Sequence, residues 1–274
     1  MKLGLGTVQF GQAYGVSNAK GQVSKADVAA ILARAAKARV PVLDTAANYG
    51  EAEAVLAGFE LAPFRIVTKT IGIKNGVEAV IARARQSAER LKADTLLVHA
   101  AADLTDGTLW PALQALKAEG VFRRIGISTY VADKPAELAA RFKPDVMQLP
   151  FSVLDQRLLA DGTLARLKDL GVEIHARSLF LQGLLLMPDV PEKLRSAAPE
   201  LNRVRAAIKA TGSTPLAAAL SFVLSRPEIA IGLVGVTSVG ELDEILTAVE
   251  QPLPGIDWAS LALRDERVLT PSLW

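Results

Sequence analysis

The stretch Leu43-Asp44-Thr45-Ala46-Ala47-Asn48-Tyr49-Gly50 joins an apolar run to a loop that carries an acid and a tyrosine. Two further runs have the same form: Ile66-Val67-Thr68-Lys69 ends in a lysine, and Leu96-Leu97-Val98-His99 ends in a histidine. Each run has the length and apolar character of a buried strand. In a barrel of alternating strands and helices, the carboxyl ends of the strands converge on one face, where active sites lie. The sequence therefore predicts that four polar groups share one face: Asp44, Tyr49, Lys69 and His99.

Eight apolar runs of strand character alternate with helical patterns along the chain. They are continuous Val, Ile and Leu stretches, as expected for parallel strands that are covered on both faces. The runs are Leu3 to Val8, Val40 to Leu43, Phe64 to Thr68, Thr95 to Val98, Ile125 to Ser128, Val146 to Leu149, Val172 to Ala176 and Ile229 to Val234. This pattern predicts an α/β protein with a (β/α)8 TIM barrel. Since no linker rich in Ser, Gly or Pro interrupts it, residues 1–274 are expected to form a single domain.

The helical patterns between these runs have recognisable starts. Ser24 is followed three residues later by Asp27, which is the spacing of a capping box ahead of an apolar stripe. Further helices are predicted at Val77 to Leu91, Leu109 to Ala118, Ala132 to Arg141, Gly162 to Leu170, Leu201 to Ala210, Pro215 to Leu224 and Val239 to Val249. Residues 252–274 form a tail with Pro, Gly and Asp turn signals. We expect this tail to lie near the pocket, with a short helix at Trp258 to Asp265.

Composition excludes several classes of function. The net charge is +2, from 31 basic and 29 acidic residues, and no basic block is present, which argues against nucleic acid as a partner. Without cysteines there are no disulfides or thiolate metal ligands, and two histidines without an H-E-x-x-H motif predict no metal site. No apolar run reaches the about 20 residues that span a bilayer. Residues 1–6 lack the apolar core of a signal peptide, so we expect a cytoplasmic protein that does not enter membranes.

The Gly4-Leu5-Gly6 segment begins like the dinucleotide fingerprint of a doubly wound fold. The third glycine of that fingerprint would stand at position 9, which is Gln9, and no helix start follows directly. Ser128 and Ser178 lack a G-x-S-x-G context, so a serine hydrolase is also disfavoured.

Each of the four strand-end residues has an ordinary structural explanation taken alone, but together they favour proton chemistry. A free tyrosine hydroxyl ionises near pH 10, which makes it a weak acid at neutral pH. A neighbouring lysine cation stabilises the tyrosinate, so Lys69 could activate Tyr49. Asp44 would hold the lysine ammonium inside the barrel. His99 could hydrogen-bond a carbonyl oxygen and orient it.

The spacing of these residues resembles the Asp-Tyr-Lys-His tetrad of the aldo-keto reductases, and the resemblance extends over nearly the whole chain. It implies an NADPH-dependent reduction of an aldehyde or ketone to an alcohol, with a small-molecule carbonyl substrate. In this scheme Tyr49 is the general acid, Lys69 tunes it, Asp44 orients Lys69 and His99 positions the carbonyl. The oligomeric state and the identity of the substrate are not predicted.

The resemblance also implies where the cofactor binds. Gly6 and Thr7 belong to its motifs, and Ser128, Thr129 and Gln148 would hold the nicotinamide carboxamide, with Thr129 at a position where the family has asparagine. Arg177 stands where the family usually has an aromatic residue against the nicotinamide. Ser178, Leu179, Phe180, Gln182 and Gly183 would follow the pyrophosphate, and Gly235, Thr237, Ser238 and Glu241 would lie near the adenosine phosphate. Because that last segment has no Lys or Arg, the preference for a 2′-phosphate is weakened; we expect NADPH first, with NADH possible.

Two other functions are compatible with the same residues. Lys69 could be the nucleophile of a Schiff-base aldolase or lyase, which leaves Ser128 and Gln148 without roles. The chain could also be a non-catalytic, cofactor-sensing subunit similar to the regulatory β subunits of potassium channels. Residues that could face the substrate are Gln9, Phe10, Tyr14, Ala47, Ala100, Phe151 and Trp274.

Overall fold

The computed structural model describes residues 1–274, apart from the side chain of Ser272. Eight parallel strands form a closed barrel in chain order, from β1 to β8 and back to β1. The strands are β1 Leu3–Gly6, β2 Val42–Asp44, β3 Arg65–Lys69, β4 Thr95–Val98, β5 Arg124–Ser128, β6 Val146–Pro150, β7 Glu173–Arg177 and β8 Ile229–Gly235. The predicted (β/α)8 barrel is confirmed, and Asp44 and Lys69 are the last residues of their strands.

Helices cover the outside of the barrel. The α-helices are α1 Val8–Gly11, α2 Lys25–Lys37, α3 Ala52–Leu56, α4 Val77–Leu91, α5 Leu109–Ala118, α6 Pro135–Phe142, α7 Arg157–Ala160, α8 Thr163–Asp169, α9 Ala198–Ala210, α10 Pro215–Leu224, α11 Val239–Val249 and α12 Glu266–Leu269. Short 3-10 helices span Ile73–Asn75, Ala101–Leu104, Val131–Asp133, Glu192–Ala197, Trp258–Leu261 and Pro271–Leu273. Among the residues described, no single helix is long and apolar enough to cross a membrane; only one pair, Glu192–Ala210 with Pro215–Leu224, passes on length and composition, with a bend of 85°.

The predicted helix boundaries agree best where the apolar stripe is long. Helices α4, α5, α10 and α11 have the predicted ends, and Ser24 caps α2 by accepting a hydrogen bond from the Asp27 amide. Helices α1, α3 and α7 were not predicted, because four or five residues are too few to show a 3.6-residue period. The short helix predicted at Trp258 to Asp265 is a 3-10 turn that ends at Leu261.

The amino end of the barrel is filled by charged side chains. Glu173 of β7 pairs with Arg65 of β3, with Arg124 of β5 at 2.7 Å, and with His175 at 2.8 Å. Because β3, β5 and β7 are not neighbours in the barrel, these contacts cross its interior. Burial opposes the charge of Glu173, but the hydrogen bond from His175 and the charge of Arg124 hold its pKa below the ordinary value. Above this layer, apolar residues fill the middle of the barrel: Val42, Val67, Leu97, Val146, Ile231 and Leu233.

Candidate active site

The four side chains that the sequence singled out meet at the carboxyl end of the barrel. The ammonium of Lys69 donates to Asp44 Oδ1 at 2.5 Å, to the Thr45 carbonyl at 3.0 Å and to the Tyr49 hydroxyl oxygen at 3.1 Å. The ring of His99 lies edge-on to the ring of Tyr49, with centroids 5.7 Å apart. The structure therefore brings together all four side chains that the sequence singled out.

The loop that carries Tyr49 is held tightly against α1. A Cβ atom on Gly11 would lie 1.9 Å from the carbonyl oxygen of Tyr49, so only glycine permits this approach. Gly50 has a φ of 54°, which favours glycine, and the amide of Glu51 donates to the Gly11 carbonyl at 3.2 Å. These contacts fix the backbone on both sides of the Tyr49 ring.

A buried carboxylate ties the same loop to the strand that carries Lys69. Glu53 of α3 accepts hydrogen bonds from Thr68 at 2.6 Å, from Ser87 at 3.0 Å and from Arg83 at 2.5 Å. Thr68 precedes Lys69 on β3, and Arg83 and Ser87 lie on α4. Because its charge is paired with Arg83, the burial of Glu53 leaves no uncompensated charge.

Lys69 is a fully charged group inside the protein. Its side chain is 1% exposed and that of Asp44 is 5% exposed. Burial opposes the positive charge, but the charges of Asp44 and Tyr49 and their hydrogen bonds outweigh it and raise the pKa of Lys69 above the ordinary value. A protonated amine is not nucleophilic, and its three N–H donors are directed at three oxygens. This arrangement argues against Lys69 as the nucleophile of a Schiff-base enzyme.

His99 is neutral at physiological pH. Burial, followed by the positive charge of Lys69, lowers its pKa to about 4. A neutral imidazole carries one N–H donor, which suits a hydrogen bond to a carbonyl oxygen. Within the described part of the chain, Nδ1 is buried without a hydrogen-bond partner. No three His, Asp or Glu side chains are grouped as metal ligands among the residues described.

A cavity of about 660 Å³ extends from the tetrad along the carboxyl end of the barrel. Asp44, Tyr49 and His99 line one end of it, while Lys69 lies behind Tyr49 and does not reach its wall. The wall includes most of the residues that the sequence assigned to a cofactor: Gly6, Thr7, Ser128, Gln148, Arg177, Ser178, Leu179, Phe180, Gln182, Gly183, Gly235, Thr237 and Glu241.

Two of the predicted cofactor residues do not line this cavity. Thr129 is buried, with its amide bonded to the Gln148 carbonyl and its own carbonyl accepting from Arg177. Ser238 uses its hydroxyl to cap α11, where it accepts from the amide of Glu241.

Of the residues proposed to face a substrate, Gln9 and Tyr14 line the cavity. Phe151 is fully buried against Phe222, with ring centroids 5.3 Å apart, and Phe10 is also in the core. Ala47 and Ala100 do not contribute to the wall.

The C-terminal tail was expected to lie near the pocket. None of its described side chains contributes to the cavity wall. Trp258 packs on Phe222 at 5.1 Å, and the Leu263 amide donates to the Leu154 carbonyl at 2.9 Å. Trp274 donates to the Arg267 carbonyl and lines a separate small depression with Lys193. The tail stays away from the cavity wall because its apolar residues are buried against the outer layer of the barrel.

Two loops that line the cavity touch each other. Leu181 and Gln182 have positive φ, and such strained backbone is concentrated at ligand-binding sites. A Cβ on Gly183 would lie 2.2 Å from the hydroxyl of Ser17, so the two loops touch at this glycine. The Ser17 loop, residues 15–20, lines the cavity and was missed by sequence reasoning because it shows neither periodicity nor a motif.

Arg177 lies inside the cavity at the end of β7. Its guanidinium carbon is 4.4 Å from the ring centroid of Tyr130, and one N–H donates to the Thr129 carbonyl at 3.0 Å. No acidic side chain pairs with Arg177 in the part of the chain that the structure describes. Arg177 is thus a cation that faces the cavity from a fixed aromatic platform.

The far end of the cavity is acidic. Glu241 accepts hydrogen bonds from the Thr237 amide at 2.6 Å and from the Thr237 hydroxyl at 2.8 Å. Both residues line the cavity, and Glu244 of the next turn does so as well. Sequence reasoning identified Glu241 but missed Glu244, which lies three residues further along the same helix face.

Comparison with known proteins assigns the class. The chain matches the model of the aldo/keto reductase family over residues 2–263. It is 30% identical over 280 residues to L-galactose dehydrogenase of Arabidopsis thaliana, with 92% of this chain and 86% of that protein covered. It is 32% identical over 159 residues to glyoxal reductase of Bacillus subtilis (strain 168), covering 54% of this chain and 56% of the relative. The chain belongs to the aldo/keto reductase family.

A solved structure has the same fold. The holo form of aldo-keto reductase AKR11C1 from Bacillus halodurans superposes with a TM-score of 0.75 at 20% identity, covering 93% of this chain and 88% of that one. The family and the named oxidoreductases identify this protein as an NAD(P)H-dependent oxidoreductase that acts on carbonyl groups of small molecules.

The cavity fits a nicotinamide dinucleotide. Its volume lies in the usual range for ligand sites, roughly 300–1,000 Å³, and it runs from the tetrad to the start of α11. Oε1 of Gln9 is buried without a partner in the described part of the chain, which leaves an acceptor for a ligand donor. Leu216, Leu233 and Ile245 provide an apolar wall beside the acidic end. Arg177 and Lys20 supply positive charge that suits a pyrophosphate.

Proposed function

We propose that the protein reduces an aldehyde or ketone to an alcohol with NADPH, and that Tyr49 donates the proton. The observation that carries this proposal is the hydrogen bond from Lys69 to the Tyr49 hydroxyl oxygen at 3.1 Å. Because that oxygen accepts from Lys69, the tyrosine O–H remains available to donate to a substrate oxygen. When bound, the reduced nicotinamide supplies the hydride.

The other tetrad residues act through position and charge. Asp44 holds the Lys69 ammonium at 2.5 Å, which keeps the cation beside the oxygen that becomes negative when Tyr49 gives up its proton. Neutral His99 hydrogen-bonds the substrate carbonyl and orients it towards Tyr49. Thr45 contributes its carbonyl as the third acceptor of the ammonium. The group is preorganised before substrate binds, since these contacts exist within the chain itself.

The cofactor preference is expected to be weak. NADPH remains the first expectation from the family resemblance, but the carboxylates of Glu241 and Glu244 at the far end of the cavity would repel a 2′-phosphate and suit a ribose hydroxyl. The substrate is expected to be small and partly polar, since Gln9, Tyr14 and Tyr130 line the same cavity as the tetrad. Sugar-like and dicarbonyl compounds, the kinds named for the two relatives, are the first to test.

The test is a binding titration of NADPH and NADH, followed by turnover assays that monitor the absorbance of the reduced nicotinamide. Glyoxal, methylglyoxal, 4-nitrobenzaldehyde and, in the oxidative direction, L-galactose form the panel. Turnover of one or more carbonyls with either cofactor supports the proposal, and saturation with cofactor but no turnover of any member argues for the cofactor-sensing alternative.

A further inference from the structure

Gln148 contacts the tetrad directly. Its amide nitrogen Nε2 donates to Asp44 Oδ2 at 2.6 Å. Gln148 lies on β6 and Asp44 on β2, which are opposite strands of the closed barrel, so the contact spans the barrel interior. Both residues are buried, with 1% and 4% of their surface exposed. A carboxylate can only accept hydrogen bonds, which requires the amide of Gln148 to present its NH₂ group to Asp44.

This contact completes the hydrogen bonding of the Asp44 carboxylate. Oδ1 accepts from Lys69 at 2.5 Å and Oδ2 accepts from Gln148 at 2.6 Å. A carboxylate held at both oxygens cannot rotate without breaking a buried hydrogen bond, and breaking one is costly. The hydrogen bonds therefore form a continuous series from Gln148 to Asp44, from Lys69 to Asp44, and from Lys69 to Tyr49.

We propose that Gln148 is a positioning residue for proton transfer, in addition to the cofactor contact that the family resemblance implies. Its N–H dipole offsets part of the negative charge of Asp44 and fixes the carboxylate, which keeps the Lys69 ammonium directed at Tyr49. The inference rests on the proposed role of Tyr49 as the proton donor. One N–H of Nε2 is committed to Asp44, so Oε1 and the second N–H of this side chain are available to a ligand in the cavity that Gln148 lines.

Replacing Gln148 by leucine removes the N–H donor while keeping a similar volume. The charge of Asp44 then acts on Tyr49 with less compensation, and a negative neighbour disfavours the tyrosinate. In the cofactor-free protein, the midpoint of Tyr49 ionisation should rise relative to the wild type. A role for Gln148 in cofactor binding alone would change the cofactor dissociation constant but leave this midpoint where it is.

The measurement is an ultraviolet titration of tyrosinate. The chain has three tyrosines, so subtracting the titration of the corresponding Tyr49→Phe protein isolates the Tyr49 transition in both the wild type and the variant. Circular dichroism at the same pH values verifies that each protein remains folded.

Gln9→Leu is the matched control, since Gln9 lines the same cavity and its side chain makes no hydrogen bond to the tetrad in the described part of the chain. The Tyr49 midpoint of this control should equal that of the wild type. If Gln148→Leu does not fold, Gln148→Asn replaces it, because the shorter amide falls short of Asp44 and should give the same upward shift.

An unchanged Tyr49 midpoint in the folded Gln148 variant overturns the inference. That result leaves the proposed function intact, since reduction by Tyr49 is judged separately from the turnover of Tyr49→Phe. Conversely, full turnover by Tyr49→Phe overturns the proposed proton donor whatever the midpoint does.

Discussion

The ammonium of Lys69 lies 3.1 Å from the hydroxyl oxygen of Tyr49 and 2.5 Å from Asp44. One buried cation thus contacts both the carboxylate that neutralises it and the hydroxyl that we propose it activates. Its raised pKa keeps it charged over the whole working range of pH, so the activation does not depend on a second proton equilibrium. The effect of this cation can be measured by replacing Tyr49 or Lys69.

Tyr49→Phe removes the O–H and leaves the ring against His99. We expect kcat to fall by roughly 10²–10⁴, the range for loss of a general acid, while the cofactor dissociation constant stays within error of the wild type. Steady-state kinetics on 4-nitrobenzaldehyde and a binding titration measure the two quantities. Unchanged turnover would remove Tyr49 from the proposed role.

Lys69→Met removes the cation and leaves Asp44 buried with a single hydrogen bond from Gln148. The loss of activity should be at least as large as for Tyr49→Phe. The free energy of unfolding should fall by roughly 3–5 kcal/mol, because one partner of a buried ion pair is left uncompensated. Urea denaturation measures this, and the double variant Asp44→Asn/Lys69→Met is the control: it should recover much of the stability and none of the activity. Equal stability of the single and double variants would contradict the explanation.

Strand topology explains why the tetrad was predictable and other parts of the site were not. Asp44, Lys69 and His99 each end an apolar run, and strand ends converge in a barrel whatever the loops do. The contact of Gln148 with Asp44 joins residues 104 positions apart on opposite strands, and no local pattern records such a pairing. Ser17 meets Gly183 through two irregular loops, whose paths depend on tertiary packing. The tail's turn signals indicated bends but not the surface on which Trp258 packs.

Glu241→Arg tests the acidic end of the cavity. The substitution replaces a carboxylate with a group that binds a 2′-phosphate, so the ratio of the NADH to the NADPH dissociation constant should increase. The wild type should show only a small preference. Glu250→Arg is the matched control, since it makes the same charge change at the other end of α11, outside the cavity wall. If Glu241→Arg and Glu250→Arg give the same ratio as the wild type, Glu241 does not contact the cofactor.

Arg177→Tyr tests whether the cation that stands where the family usually has an aromatic residue contacts the nicotinamide or the pyrophosphate. If the guanidinium stacks on the ring, the oxidised nicotinamide places a second positive charge near it, and two such charges about 4 Å apart repel by up to ~4 kcal/mol at an effective dielectric of 20. Water and nearby carboxylates reduce this figure. The wild type should therefore bind NADPH more tightly than NADP⁺, and Arg177→Tyr should narrow the gap, mainly by tightening NADP⁺. Isothermal titration of NADPH and NADP⁺ against the wild type and Arg177→Tyr measures this gap in affinity. Equal ratios of the two dissociation constants in the two proteins would mean that Arg177 stays on Tyr130 or contacts phosphate instead.

His99→Gln tests the neutral imidazole through stability. Burial and the charge of Lys69 lower the pKa of His99 from 6.5 to about 4. As the pH falls from 6.5 to 4, the unfolded chain takes up a proton at this residue and the folded chain does not, so the folded state loses stability throughout that window. The loss reaches roughly 3 kcal/mol at its acid end, as an upper bound for a group that is partly exposed. The glutamine variant cannot take up this proton, so its free energy of unfolding should decline less than that of the wild type over the same window.

Urea denaturation of wild type and His99→Gln at a series of pH values gives the two curves, and proton NMR of a chain with only two histidines gives the His99 titration directly. Above pH 6.5 the difference in the free energy of unfolding between the two proteins should be constant, and as the pH falls towards 4 the wild type should lose stability relative to His99→Gln. Parallel curves, or an imidazole that titrates near 6.5, would show that His99 is not held neutral by its surroundings. In that case a protonated histidine would compete with Tyr49 as the acid, and the pH dependence of kcat would follow the His99 titration.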